Sequence, residues 1–260
     1  MTTVRVSLGA AVGALVVVSP TASLSGAWTQ KPGSGQVIVS ASTKSAQVAP
    51  FGRGRIDDDS SFASFFWEYG LREGLTIGGT VFAEIVTDGD DGDSADVGFF
   101  ARQRLWTGED GDVASVQLGV KQEINPLLGG DFGDPGADPT NEVSLRLLYG
   151  RGWGFDWGSA FVSTEGGYHL QTDGDEDEVR LDITVGAQPD PCCMGLLSLF
   201  TTVPVGDEDV AVKLAPSFAY SFRGEDGEIE KPFTLQVGLS QDLNDFDDGL
   251  GVQVSIWKPF

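Results

Sequence analysis

Across residues 210–222 every even position is apolar or Pro (Val210, Val212, Leu214, Pro216, Phe218, Tyr220, Phe222), and every odd one is small or polar, from Ala211 and Lys213 to Ser221. The same period of two runs through 114–121, 143–150, 179–186 and 233–242. A helix would group apolar residues at spacings of three and four, so these segments read as strands with one apolar and one polar face. Twelve such segments follow one another: 35–46, 60–71, 75–87, 96–106, 113–123, 142–150, 158–171, 178–188, 194–203, 209–222, 232–243 and 250–260. Alternation is weakest in 35–46 and 194–203. Most of the segments exceed the about five to six residues of a globular strand and are long enough to cross a bilayer at a tilt. After the N-terminal region no run approaches the roughly 18 apolar residues of a spanning helix. The chain is therefore expected to be all-β, a transmembrane antiparallel up-and-down β-barrel of about 12 strands.

Connections and aromatic rings extend this reading. With the N-terminus on the periplasmic side, the outward connections are 47–59, 88–95, 124–141, 172–177, 204–208 and 244–249. The inner ones are 72–74, 107–112, 151–157, 189–193 and 223–231. The tight Arg72-Glu73-Gly74 turn is inner and the longest connection, 124–141, is outer, the asymmetry expected of such barrels. Trp67, Tyr69, Trp106, Tyr149, Trp153, Trp157, Tyr220, Phe222, Trp257 and Phe260 fall near the inner strand ends. They read as one aromatic girdle at the membrane–water boundary, whereas in a soluble sandwich they would spread through the core.

Residues 1–25 carry the layout of a secretory signal peptide. Arg5 precedes an uncharged apolar run over 6–18, Ser19-Pro20 breaks it, and small residues follow at Ser23, Ser25, Gly26 and Ala27. The apolar run is too short to span a membrane as a helix. Cleavage is expected after residue 25 or 27, leaving 26–260 as the barrel; no Cys stands at the cut to carry a lipid anchor.

The chain ends Val252-Gln253-Val254-Ser255-Ile256-Trp257-Lys258-Pro259-Phe260. A terminal Phe with apolar residues at every second position before it resembles the C-terminal signature of Gram-negative outer-membrane barrels. Lys258 stands where that family usually has an aromatic or apolar residue. The run Glu68-Tyr69-Gly70-Leu71-Arg72-Glu73-Gly74-Leu75-Thr76-Ile77-Gly78-Gly79 looks like a hairpin common in such barrels. The start Gly26-Ala27-Trp28-Thr29-Gln30 resembles a group of uncharacterised proteobacterial barrels of this length. The resemblance implies that Val254, Ile256 and Phe260 form the signal read by the barrel assembly machinery. It also implies an outer-membrane location, among outer-membrane lipid and lipopolysaccharide, and no particular substrate.

Charge decides partners and mouth. With 39 Asp and Glu against 16 Lys and Arg, the net charge is −23, which excludes nucleic acid as a partner. More than half of the acidic residues fall in the outer connections and their margins, opposed there by Arg53 and Arg55 alone. Within strands, Glu68, Glu84, Glu123, Glu142, Glu165 and Asp182 stand at inward parity, facing Lys44, Arg102, Arg104, Lys121, Arg146, Arg180 and Lys213; His169 also points inward. Such residues either line a water-filled pore and set its selectivity, or pair across a narrow lumen and close it. Twelve strands lie between side-chain-filled eight-stranded barrels and open porins. The expected function is a narrow passive channel for small hydrophilic solutes or ions with an acidic extracellular mouth. The alternatives are a non-conducting structural or interaction barrel, then a lipid hydrolase or a soluble exported β-sandwich.

Three motifs carry less. Residues 173–178 begin like a calcium loop, yet Glu178 occupies the position where that loop needs Gly, so solvated, cation-attracting loops are expected. His169 is the single His and would have to serve any hydrolase, which needs a hydroxyl within reach of it; a polar lumen histidine is the expectation. Cys192-Cys193, in an inner turn, are either two thiols or a vicinal or intermolecular disulfide. Two Cys and one His exclude a zinc framework, and no metal or cofactor is expected.

Overall fold

A computed structural model of the chain describes residues 26–45, 60–86, 94–108, 111–124, 141–172, 177–206, 210–222, 233–244 and 250–260. They form β1 (Gly35–Ser45), β2 (Ser60–Arg72), β3 (Leu75–Val86), β4 (Ser94–Thr107), β5 (Val113–Glu123) and β6 (Asn141–Phe155). The second half holds β7 (Gly158–Gln171), β8 (Glu178–Asp190), β9 (Cys193–Pro204), β10 (Ala211–Phe222), β11 (Phe233–Asp242) and β12 (Leu250–Pro259). Each strand pairs antiparallel with the next, and β1 closes on β12, so the sheet is a closed barrel with no free edge. Gly35 and Phe260 exchange backbone hydrogen bonds of 3.1 and 2.9 Å, which brings the start of β1 and the end of β12 to the same rim, called here the terminal end.

Observed strands match the alternating segments closely, with one clear departure. The expected connection 151–157 is mostly strand: β6 runs on to Phe155, and Asp156-Trp157 alone make the turn. The inward positions there are Gly150, Gly152 and Gly154, so the alternation has no side chain on its inner face to reveal it. Likewise β8 reaches Asp190 and leaves Pro191-Cys192 as the turn. At the terminal end the tight turn after β2 is made by Glu73 and Gly74, whose φ of 71° is the conformation that favours glycine. Most of the acidic outer connections, including 57–59, 88–93, 131–138, 173–176, 207–209 and 245–248, lie outside the described residues.

Outward positions carry the apolar half of the alternation into open exposure: Leu118 is 60% exposed, Leu147 63% and Val237 46%. Water does not tolerate so continuous an apolar band, and hydrocarbon does; with all strand edges paired, no backbone group need face lipid unbonded. At the terminal end Phe155 stacks on Trp157 with centroids 5.0 Å apart, and Tyr69 on Phe260 at 6.5 Å. Trp106, Tyr149, Trp153 and Tyr220 stand exposed with them. Trp257 corrects the expected girdle. It stands near this end but on the opposite face, 4% exposed, packed inside the barrel with Phe161, Met194, Leu196 and Ala219. Its odd parity alternates with outward Val254 and Ile256, so the pleat itself turns it inward.

Candidate functional site: the barrel lumen

The terminal half of the lumen is occupied by the chain's own residues. The segment 26–34 precedes β1 and folds into the barrel as a strap. Ala27 is fully buried, and its carbonyl accepts a hydrogen bond from Ser115 Oγ at 2.5 Å. The Trp28 carbonyl accepts from Arg102 Nη1 at 3.1 Å, and the Gln30 amide donates to Thr76 Oγ1 at 2.7 Å. The Trp28 indole meets Phe161 edge-on at 5.9 Å and packs against the cluster of Ala27, Val113 and Leu148. Room for it comes from Gly150, where a β-carbon would stand 2.6 to 2.8 Å from three indole carbons. Pro32 makes a single bridge to Gly70, and Gly33 donates to the Gly70 carbonyl at 2.9 Å. Side chains rather than a strand ladder therefore hold the strap.

Beneath the strap lies a buried polar knot. Glu68, 0% exposed, accepts from Gln36 Nε2 at 2.7 Å and from Gln30 Nε2, and pairs with Arg102 at 3.3 Å. Arg102, 1% exposed, also donates from Nε to Gln117 Oε1 at 3.0 Å. A buried carboxylate needs this many donors because desolvation otherwise exceeds the attraction of one ion pair.

Towards the opposite end the inner wall of β4 to β8 is lined by a second set of paired charges. Arg146 spans two strands, reaching Glu165 on β7 and Asp182 on β8, both at 3.2 Å. Glu142 accepts from His169 Nδ1 at 2.6 Å and faces Lys121 at 3.7 Å and Arg180 at 3.6 Å. Lys121 also reaches Asp96 at 3.7 Å, Arg180 meets Glu178 at 2.5 Å, and Lys213 meets Asp242 at 3.9 Å. His169 is 3% exposed, with Nε2 buried and without a hydrogen-bond partner among the described residues. Arg104 pairs with Glu73 of the terminal turn, while Glu84 and Glu123 occupy inward register positions toward the opposite rim. The side chain of Lys44 lies outside the described residues.

Parity placed these ionisable groups on one face, but it did not say which would meet. It also left unread the rings that share that face. Phe66 stands two residues before Glu68 on β2, Phe82 two before Glu84 on β3 and Phe100 two before Arg102 on β4, with Phe62 at the same parity further along β2. The signal was available as i, i+2 spacing from an inward charge. Of the residues implied by resemblance to read as the assembly signal, Val254 and Ile256 face outward and Phe260 stacks on Tyr69.

In the turn after β8, Cys192 and Cys193 are free thiols with Sγ atoms 2.8 Å apart. The hydrogen bond to Cys193, and after it that to Asp190, pushes the Cys192 thiol up to about 12. A thiol so held is a poor nucleophile near neutral pH.

Closed antiparallel pairing, an apolar outer band and a polar interior define a transmembrane β-barrel of the outer-membrane type. Among solved structures, the chain is similar to the COG4313 outer membrane channel from Pseudomonas putida F1, at TM-score 0.59 and 13% identity, covering 89% of this chain and 97% of that one. LpxR from Salmonella typhimurium matches at TM-score 0.56 and 7% identity, over 86% and 99%. The KdgM porin in complex with disordered oligogalacturonate matches at TM-score 0.51 and 9% identity, over 86% and 99%. At these identities the likeness shows the fold. No protein-family model matches the sequence, and no curated protein matches it.

Proposed function

We propose that the chain is an outer-membrane channel for passive diffusion of small hydrophilic solutes or ions, closed at its terminal end by its own N-terminal strap. The observation that carries this reading is the contrast between strap and wall. The wall is a continuous twelve-strand ladder, whereas the strap is tied to it by a few side-chain contacts and by residues around Gly70. Such a segment undocks without opening the barrel. Above it, charges of both signs line a polar interior suited to water and small solutes. Likeness to the COG4313 channel and the KdgM porin supports a channel-type barrel. In this reading a signal peptide exports the chain, the assembly machinery recognises Val254, Ile256 and Phe260, and the barrel settles among outer-membrane lipid and lipopolysaccharide. The outer loops then make an acidic mouth that concentrates cations at low salt. His169 points into the lumen, away from lipid, and no hydroxyl is hydrogen-bonded to its Nε2 among the described residues, which favours transport over lipid hydrolysis.

The burial of Ala27 and the Glu68–Arg102 knot favour a second reading, a non-conducting barrel with a permanent plug. Planar-bilayer recording of the refolded full chain, and of a chain lacking 26–31, separates the two. The channel reading expects small conductance from the full chain, larger conductance from the truncated one, and cation preference at low salt. No conductance from the truncated chain, or anion preference at low salt, overturns it.

A further inference from the structure

The charged side chains of the lumen gather on β4 to β8 and toward the two ends. The middle of the sector built from β1, β2, β3, β11 and β12 is neutral, and it is furnished with phenyl rings. Phe62 and Phe82 lie with centroids 5.7 Å apart, and Phe66 and Phe100 stack at 5.8 Å with planes 17° apart. Arg102 stands 5.3 Å from the Phe100 centroid, and that ring lies over Gly78, where any β-carbon would collide with it. Phe66 lies four positions after Phe62 on β2, so the rings extend for about 13 Å along the strand. Facing them, β1, β11 and β12 present Ser40, Gln236, Gln253 and Ser255. Gln253 donates to Ser255 Oγ at 3.1 Å and Ser255 to Ser40 Oγ at 2.8 Å. Phe66, Phe82 and these four polar residues line a cavity of about 520 Å³, within the range of small-molecule sites. Asp96 stands at its β4 edge, within 3.7 Å of Lys121.

We propose that this sector is a stacking track for a neutral ring solute rich in hydroxyl groups, a pyranose sugar. Ion permeation has no use for phenyl rings on a wet wall. A sugar covers them with its C–H face, while its rim of hydroxyls meets Ser hydroxyls and Gln amides that both donate and accept. An anionic solute would find no counter-charge among these four polar residues, and the Asp96 carboxylate at the β4 edge is already held by Lys121. A phenol brings one hydroxyl to these four polar side chains, whereas a sugar brings several to the donors and acceptors that their mutual hydrogen bonds leave over. The proposal names the solute of the channel reading and rests on it for transit, although binding in the cavity does not require conduction.

Refolded full chain in detergent, titrated with maltose by calorimetry, tests it. Heat-dependent gel mobility establishes that each sample is a folded barrel. Saturable maltose binding is expected, weakened roughly tenfold in Phe66→Ala/Phe82→Ala and kept in Phe66→Tyr/Phe82→Tyr. No saturable binding by the folded chain, equal binding by the Ala variant, or tighter binding of phenol than of maltose overturns the proposal. Bilayer recording of the same samples keeps the two ideas apart. Maltose binding without conductance upholds the track and overturns the channel; conductance that maltose never blocks, with no binding in solution, overturns the track and leaves the channel standing.

Discussion

Replacing Trp28 by Ala should release the strap while leaving the barrel closed. A Trp side chain presents roughly 150–250 Å² of burial, and Trp28 is mostly covered, by Phe161, Val113, Leu148 and the groove at Gly150, so that roughly 100 Å² at the least is lost with it. At about 25 cal/mol per Å² its removal costs ~2–3 kcal/mol, and loss of the edge-on contact with Phe161 adds ~1 kcal/mol. A total of about 3–4 kcal/mol shifts the docked-to-undocked ratio by a factor of roughly 100 to 1,000. The carbonyl of residue 28 still accepts from Arg102, so the polar anchors are untouched. Thr29→Cys, made in a Cys192→Ser/Cys193→Ser background, reports the equilibrium, because Thr29 Oγ1 is buried and makes no hydrogen bond among the described residues. Its maleimide labelling rate should rise at least a hundredfold with Trp28→Ala, at unchanged heat-dependent mobility. A rate within a few-fold of the parent, in a sample that still runs as a folded barrel, would refute the idea that this indole holds the strap.

Other perturbations read separate parts of the site. Arg102→Ala leaves the Glu68 carboxylate buried without its cation, which costs about 3–5 kcal/mol; urea unfolding followed by gel mobility should show the loss, and Arg102→Met with Glu68→Gln should restore most of it. Arg146→Met frees Glu165 and Asp182 from the cation they share. Cation preference should rise, seen as a shifted reversal potential across a KCl gradient, and an unchanged potential would mean that ions do not pass this wall. Cys192, raised to about 12, should label slowly at pH 8 and faster as the pH climbs beyond 9, with mass spectrometry assigning the site. Because Cys193 is the main cause, Cys193→Ala should speed Cys192 labelling at pH 8; no change would remove that hydrogen bond as the explanation.

Strand positions were legible because alternation is a local property. Phe218, Tyr220 and Phe222 declare their face by their spacing alone, whatever lies across the barrel. Legibility failed where one face fell silent, as in 150–154, where inward Gly150, Gly152 and Gly154 hide the end of β6. It failed again at Trp257, grouped with the girdle by height although its parity sets it inside. Aromatic character marks the membrane boundary only when the ring also lies on the outer face.

The sequence determined the number of strands, their faces and the two signs of charge inside, while the pairing of β1 with β12 showed the closure. The first three follow from the period of two, a relation between a strand residue and its immediate neighbours. Tertiary structure alone decided what fills the space that closure creates. Residues 26–34 have no periodicity to announce a strap, and their anchors Ser115, Arg102 and Thr76 stand far along the chain. Whether Arg146 meets Glu165 or Asp182, or Phe66 meets Phe100, depends on the stagger and curvature of the closed sheet. Those are properties of the whole ring of strands, and no single segment carries them.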